Sequence, residues 1–159
     1  MDRRSFLQAA AIGAAAAGIS GNSFAAEKYF PGKADQSLFE NINRAKDPAN
    51  KTPLEKSHAP VITAPDKVKA GEPFTVQISV GENMHSMGTA HWIEYVELNI
   101  GNEPVAKADF QSNGFSKPKV SFTVAVSKEA APSGRITLLA RQRCNLHGLW
   151  EGAFDIAVE

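Results

Sequence analysis

The chain has 159 residues, of which 43% are hydrophobic, and this length and composition suit one globular domain with a single core. It carries 17 basic and 17 acidic residues without a basic tract or a stripe of basic and aromatic residues, a charge pattern that argues against a nucleic-acid partner. A single cysteine excludes an internal disulfide.

Residues 1–25 have the organisation of a signal peptide. Arg3 and Arg4 precede Phe6 and Leu7, a small apolar run follows, and small residues end the segment. The apolar run from 7 to 19 is too short and alanine-rich to span a bilayer, so we expect no membrane segment in the mature protein. The twin arginine resembles a Tat export signal, which predicts a periplasmic protein; a Sec signal with coincidental arginines is the alternative.

Residues 26–53 predict an irregular N-terminal arm. The stretch "SLFENINRA" (37–45) suits a short helix capped by Ser37, because Glu40 follows three residues later. The stretch "KDPANKTPLEKS" (46–57) is polar and contains Pro48 and Pro53. We expect it to form an extended arm or loop.

From residue 54 onward, apolar and polar residues alternate with the period of half-buried strands. Turn signals rich in glycine and proline separate the alternating segments. The candidate strands are 59–63, 74–80, 96–100, 105–110, 120–126, 136–140 and 154–158. The sequence therefore predicts an all-β domain over 54–159, an immunoglobulin-like antiparallel β-sandwich of about seven strands.

All four histidines and the only cysteine fall at predicted strand ends or in loops. His58 opens the first strand, His85 lies in the loop after the next long strand, and His91 starts the strand that follows. Cys144 and His147 form a Cys-x-x-His turn between the last two strands. Because a sandwich gathers its loops at its ends, we expect these residues to form a metal site.

The number and type of donors favour iron. A structural zinc site closes with four ligands and leaves a fifth donor unexplained. A blue copper site uses two histidines, a cysteine and a weak axial ligand, usually methionine, but no methionine follows Met87. Four imidazoles and one thiolate suit a square-pyramidal iron with one open position.

Three segments resemble the iron-binding domain of the superoxide reductases, the neelaredoxin and desulfoferrodoxin proteins: "HAPVI", "HSMGTAHWIEYVEL" and "CNLHGLW". The resemblance covers about residues 54–159. It implies one mononuclear iron with an axial thiolate from Cys144 and equatorial imidazoles from His58, His85, His91 and His147. Relatives of the two-iron kind carry an additional four-cysteine site, which a chain with one cysteine cannot build.

The resemblance also implies an activity, the reduction of superoxide to hydrogen peroxide with two protons and one electron from an external donor. Cytoplasmic relatives are expected to use a rubredoxin-like donor, and an exported protein would need a periplasmic one such as a c-type cytochrome. A non-catalytic iron or copper electron-transfer protein and a module that senses a small ligand are the alternatives. Long β edges also allow a homo-oligomer.

The family's Glu-Lys-His stretch reads "EKSH" here, with Ser57 inserted before His58. By resemblance, Lys56 is the cation that attracts superoxide, and Glu55 is the carboxylate that occupies the open position of ferric iron. A shift of one residue in an extended segment turns a side chain to the opposite face. Both roles therefore depend on how this segment is folded.

Overall fold

The computed structural model describes residues 36–159, so the predicted signal peptide and the start of the arm lie outside the described residues. A 3-10 helix spans Gln36–Phe39, and one α-helix, α1, spans Pro53–His58. The strands are β1 (Pro60–Thr63), β2 (Lys67–Val68), β3 (Phe74–Val80), β4 (Ile93–Ile100), β5 (Glu103–Asp109), β6 (Lys119–Val124), β7 (Arg135–Cys144) and β8 (Gly148–Val158). Within this part of the chain, no helix is long and apolar enough to cross a membrane.

The strands form two sheets, which confirms the predicted all-β sandwich. One sheet has the order β1-β3-β6, and the other has the order β2-β8-β7-β4-β5. All neighbouring strands pair antiparallel except β2, which pairs parallel with β8 through Lys67 and Val68. The two-residue strand β2 was not predicted, because two residues are too few to show an alternating pattern.

The core lies between the sheets and follows directly from the alternation in the sequence. Along β3, Phe74, Val76, Ile78 and Val80 are buried while Thr75 is exposed, as expected for a strand with one face turned inward. The same period in β7 and β8 supplies the facing layer of apolar side chains. Because β7 and β8 pair along their whole lengths from residue 135 to 157, they fix the turn between them at one end of the sandwich.

The part of the N-terminal arm that the structure describes contacts β8 and does not form the predicted helix over 37–45. Only the 3-10 helix is present, and the chain then pairs with β8: the Asn43 amide donates to the Leu149 carbonyl at 2.8 Å, and the Glu151 amide donates to the Asn43 carbonyl at 2.9 Å. The Glu151 carboxylate also accepts hydrogen bonds from Arg44 and Arg141. Pairing with a strand therefore satisfies the backbone groups that a helix would have satisfied.

The predicted loop over 46–57 is present from 46 to 52, whereas the segment directly before β1 is helical. The loop prediction was therefore wrong for 53–57, and no strand begins at His58. Thr52 caps α1 in a capping box: its hydroxyl accepts from the Glu55 amide, and the Glu55 carboxylate accepts from the Thr52 amide. Pro53 occupies the first turn, where its missing N–H costs nothing. His58 is the last residue of this helix, and β1 begins two residues later.

Candidate metal centre

Three connections at one end of the sandwich bring the predicted ligands together. His58 ends α1, His85 and His91 lie in the connection between β3 and β4, and Cys144 and His147 lie where β7 turns into β8. One ligand atom from each of His58, His91, Cys144 and His147 lies within 4.8 Å of the others. His85 is close beside them, with its Nε2 3.0 Å from Nε2 of His91. We call these five residues the histidine–cysteine cluster.

The four imidazole rings form a closed cycle. Neighbouring ring centroids are 4.5–4.8 Å apart around the order His58, His85, His91, His147, and neighbouring ring planes are inclined by 73–80°. His58 and His91 face each other across the cycle at 5.8 Å, with an interplanar angle of only 26°. Each ring thus stands edge to face with its neighbours around a common centre.

The Cys144 sulfur lies against this cycle. Its Sγ is 3.1 Å from Nε2 of His91, 3.4 Å from Nδ1 of His147 and 3.8 Å from Nε2 of His85. Nδ1 of His147 is itself 3.1 Å from Nε2 of His91. Several nitrogen atoms and the sulfur therefore lie within one small volume, and their N–H and S–H groups are too few for hydrogen bonds to explain all of these short distances. Such an arrangement is typical of atoms that bind a common cation.

His58 shows most clearly that the cluster fits a metal. Its Nδ1 lies 2.9 Å from the Leu54 carbonyl oxygen, so the proton belongs on Nδ1 and the lone pair on Nε2. That Nε2 is buried and has no hydrogen-bond partner among the described residues. A buried nitrogen lone pair without a donor is costly in a protein interior, and coordination to a metal would satisfy it.

Burial favours the uncharged forms of His58, His85, His91 and Cys144. Removal from water lowers the pKa of His58 to about 4 and that of His85 to about 3, and it also lowers the pKa of His91. Burial raises the pKa of the Cys144 thiol, although the backbone amides of Leu146 and His147 partly oppose this. At neutral pH the imidazoles are therefore ready to bind a cation, and the thiol must lose its proton to do so.

Asn145 ties the Cys-x-x-His turn to the segment that carries His91, a role that the sequence did not reveal. Its side-chain oxygen accepts from the Trp92 amide at 2.9 Å, and its side-chain nitrogen donates to the Ala90 carbonyl at 3.0 Å. Its backbone amide donates to the Trp92 carbonyl at 3.2 Å, so it is not available to the sulfur. The only sequence signal for this role was the presence of an asparagine between two ligands, which does not predict its contact with Ala90, 55 residues away.

Gly148 lets the turn close against the N-terminal arm. It has a φ of +70°, and a Cβ at this position would lie 2.1 Å from the Leu38 carbonyl oxygen. Trp150 follows on β8, is almost fully buried, and lies 5.4 Å from the His58 ring. Its indole N–H donates to the His147 carbonyl at 2.7 Å. The arm and Trp150 thus support the outer side of the cluster.

The structure does not bring Glu55 or Lys56 into the cluster. Both carboxylate oxygens of Glu55 are used elsewhere, one by the Lys46 amide at 3.0 Å and the other by the amide and hydroxyl of Thr52. These bonds, that from Lys46 foremost, hold the pKa of Glu55 below its usual value. Glu55 is therefore a capping residue in this arrangement, and its role at the open position of ferric iron stays a prediction.

Lys56 is exposed on α1. Successive helix residues are rotated by about 100°, so Lys56 and His58 project from nearly opposite sides of α1. Lys56 forms no ion pair with any described residue. It remains an unneutralised cation on the helix that ends in His58.

Comparison with known proteins agrees with this geometry. Residues 50–153 match the desulfoferrodoxin family. A relative from Methanocaldococcus jannaschii, whose name places it among the superoxide reductases, is 42% identical over 119 residues that span 74% of this chain and 95% of the relative. The superoxide reductase of Pyrococcus furiosus is 28% identical over 114 residues, 60% of this chain and 85% of that protein.

The fold comparison gives the same result. The solved structure of the superoxide reductase (neelaredoxin) from Ignicoccus hospitalis superposes with a TM-score of 0.62 at 33% identity. The superposition covers 80% of this chain and 100% of that one. The similarity therefore extends over the whole of the neighbouring protein, including both sheets and the end of the sandwich that carries the cluster.

Proposed function

Because the chain belongs to the desulfoferrodoxin family, we propose that it is a superoxide reductase that converts superoxide to hydrogen peroxide with two protons and one electron from an external donor. The observation that carries the proposal is the histidine–cysteine cluster. All the histidines of the chain and its only cysteine meet at one end of the sandwich.

The donor set of the cluster fits a single iron. Neutral imidazoles bind Fe(II), and a thiolate donates electron density to the metal, as it does in haem thiolate proteins. When bound, iron supplies the one-electron couple that the reduction of superoxide needs. The five residues of the cluster would hold it, with His147 presenting Nδ1, and His58, His85 and His91 presenting Nε2. With one cysteine in total, the chain has no second cysteine-rich site, so the proposal is one iron per chain.

The protein's own residues prepare this centre before a metal arrives. Burial keeps the imidazoles of His58 and His85 neutral, the Leu54 carbonyl fixes the tautomer of His58, and Asn145 holds the two ligand segments together. A copper electron-transfer site would use two histidines and a cysteine. It would leave two of the four clustered imidazoles without a role.

The visible spectrum of the iron-loaded protein tests the function. We expect the reduced protein to be almost colourless, and oxidation by superoxide to produce a strong thiolate-to-ferric band together with one hydrogen peroxide per iron. Cys144→Ser should bind iron more weakly and lack this band, because a hydroxyl is a poor substitute for a thiolate ligand. Iron analysis of both proteins provides the metal content against which the band is measured.

Two results would contradict the proposal. Iron-loaded wild type without the thiolate band would show that Cys144 is not a ligand. A band that forms with superoxide but is accompanied by no peroxide would favour a binding or sensing module over an enzyme.

The same proposal includes export by the Tat pathway, supported by Arg3 and Arg4 followed by Phe6 and Leu7. In the periplasm, the electron donor would be a c-type cytochrome or a rubredoxin-like protein of that compartment. Fractionation of bacteria expressing the full chain tests the location. We expect the wild type in the periplasm and the Arg3→Lys/Arg4→Lys variant in the cytoplasm; export of both proteins alike would exclude Tat.

A further inference from the structure

Ser57, the residue inserted before the ligand His58, contacts the back of the His58 ring. Its hydroxyl oxygen lies 2.9 Å from Nδ1 of His58. The same oxygen is 3.1 Å from the carbonyl oxygens of Pro53 and Leu54, one turn earlier in α1. A serine that bonds back to the preceding turn of its own helix is common, but here the hydroxyl also meets a ligand ring.

These distances allow one consistent arrangement of hydrogens. Nδ1 of His58 carries the proton when Nε2 is to bind a metal, so the Nδ1–H donates to the Leu54 carbonyl and to the Ser57 hydroxyl oxygen. The Ser57 hydroxyl then donates its own hydrogen to the Pro53 or Leu54 carbonyl. Ser57 thus gives the imidazole a second acceptor and connects it to the helix backbone.

Backbone contacts with the loop after β3 hold the end of α1 in place. The Asn83 amide donates to the Lys56 carbonyl, and the Gly81 amide donates to the Ala59 carbonyl, both at 3.1 Å. Gly81 approaches so closely that a Cβ there would lie 2.7 Å from the Ser57 carbonyl oxygen. The loop after β3 therefore holds the backbone of the last helical turn, which carries both Ser57 and His58.

From this geometry we infer that Ser57 is a positioning residue for the proposed iron: its hydroxyl, a second acceptor for the His58 Nδ1–H beside the Leu54 carbonyl, helps to hold the orientation of the ring and makes Nε2 a stronger donor. The inference rests on the proposed function. A hydrogen-bond acceptor on the far nitrogen raises the basicity of a ligating imidazole, and a more basic ligand favours ferric over ferrous iron. Ser57 therefore strengthens iron binding and lowers the reduction potential of the centre.

Replacement of the hydroxyl tests the inference through metal binding and potential, not through activity. In Ser57→Ala we expect iron affinity, measured by competition with a chelator, to fall about tenfold. This is the lower end of the range for the loss of a hydrogen-bond partner of a metal ligand, because the Leu54 carbonyl still accepts from His58. The midpoint potential should become more positive. The thiolate-to-ferric band should persist, since Cys144 is unchanged.

Matched variants separate the hydroxyl from the shape of the side chain. Ser57→Thr keeps the hydroxyl and should behave like wild type. Ser57→Val introduces a side chain with nearly the shape of threonine but without the hydroxyl, and it should behave like Ser57→Ala. This pair also gives the answer if Ser57→Ala fails to fold. Ser86→Ala removes another serine beside a ligand, an exposed one next to His85, and should change neither affinity nor potential.

The possible results are distinct. Wild-type affinity and potential in both Ser57→Ala and Ser57→Val would overturn the inference while leaving the superoxide reductase assignment intact. Equal losses in the threonine and valine variants would also overturn it, since shape alone would then matter. Absence of the thiolate band in the wild type would instead refute the proposed function.

Discussion

At the scale of single residues, the candidate site depends on a few side chains whose environment suits them to bind a cation. The His58 and His85 imidazoles are buried to within a few per cent and the Cys144 thiol completely, and each is held in its uncharged form. A cation that enters the cluster meets the imidazoles of His58, His85 and His91 in their neutral forms and displaces a proton from the thiol. Metal affinity should therefore rise with pH as the Cys144 thiol loses its proton.

The positive charge of Lys56 is the single-residue feature expected to affect the rate of the reaction with superoxide at long range. It is exposed, forms no ion pair with the described side chains, and is turned away from the imidazoles, so we expect it to act on superoxide through its electric field and not by contact. We expect Lys56→Ala to lower the second-order rate constant for the reaction with superoxide by about twofold at low ionic strength, the effect of one unit charge roughly 10 Å away in water. Pulse radiolysis at 10 and 300 mM salt, where the Debye length is about 30 Å and roughly 6 Å respectively, would measure it.

Lys128→Ala is the matched control for this measurement. It removes the same charge from an exposed lysine beyond β6, near the end of the sandwich opposite the cluster. Its rate constant should equal that of the wild type at both salt concentrations. A much larger loss in Lys56→Ala that persists at high salt would show that the lysine touches the substrate, contrary to its position in this structure.

At the scale of elements, the strands were predictable and the helix was not, and the difference has a physical cause. Alternation along 74–80 directly records which face of β3 is buried, so periodicity was sufficient there. The six residues of α1 are too few to display a helical period. Its signal was local: Thr52-Pro53-Leu54-Glu55 contains a capping box with proline in the first turn, but Pro53 was interpreted as a loop residue.

The same helix also determines where the Glu55 and Lys56 side chains lie. In an extended segment, each residue is turned by about 180° from the last, whereas in α1 the step is about 100°. Helix formation commits the Glu55 carboxylate to the cap and turns Lys56 outward, while it places the Ser57 hydroxyl at the His58 ring. The ligands could be predicted from the sequence because histidine and cysteine are scarce in it. The residues that orient the ligands could not, because they depend on backbone geometry and on contacts between residues distant in sequence, such as Asn145 with Ala90.

At the scale of the whole molecule, the cluster joins the two sheets. His58 and His85 adjoin β1 and β3 of the three-stranded sheet, whereas His91, Cys144 and His147 adjoin β4, β7 and β8 of the five-stranded sheet. A metal bound by all five side chains is therefore a cross-link between layers that otherwise contact each other through apolar packing. The unfolded chain holds no such preformed site, so the free energy of metal binding adds to the free energy of unfolding.

Removal of the metal should accordingly lower the melting temperature. At a free Fe(II) concentration of about 100 times the dissociation constant, bound metal adds about 2.7 kcal/mol, which corresponds to roughly 10 °C for a domain of this size. Anaerobic calorimetry of the iron-loaded protein with and without a chelator measures the shift. In His147→Ala, which lacks one ligand from the five-stranded sheet, the chelator should cause a clearly smaller shift. Metal analysis must first show that the chelator has removed the iron. If the melting temperature is then unchanged, the metal does not connect the sheets, because a ligand bound by both layers only in the folded state must stabilise that state.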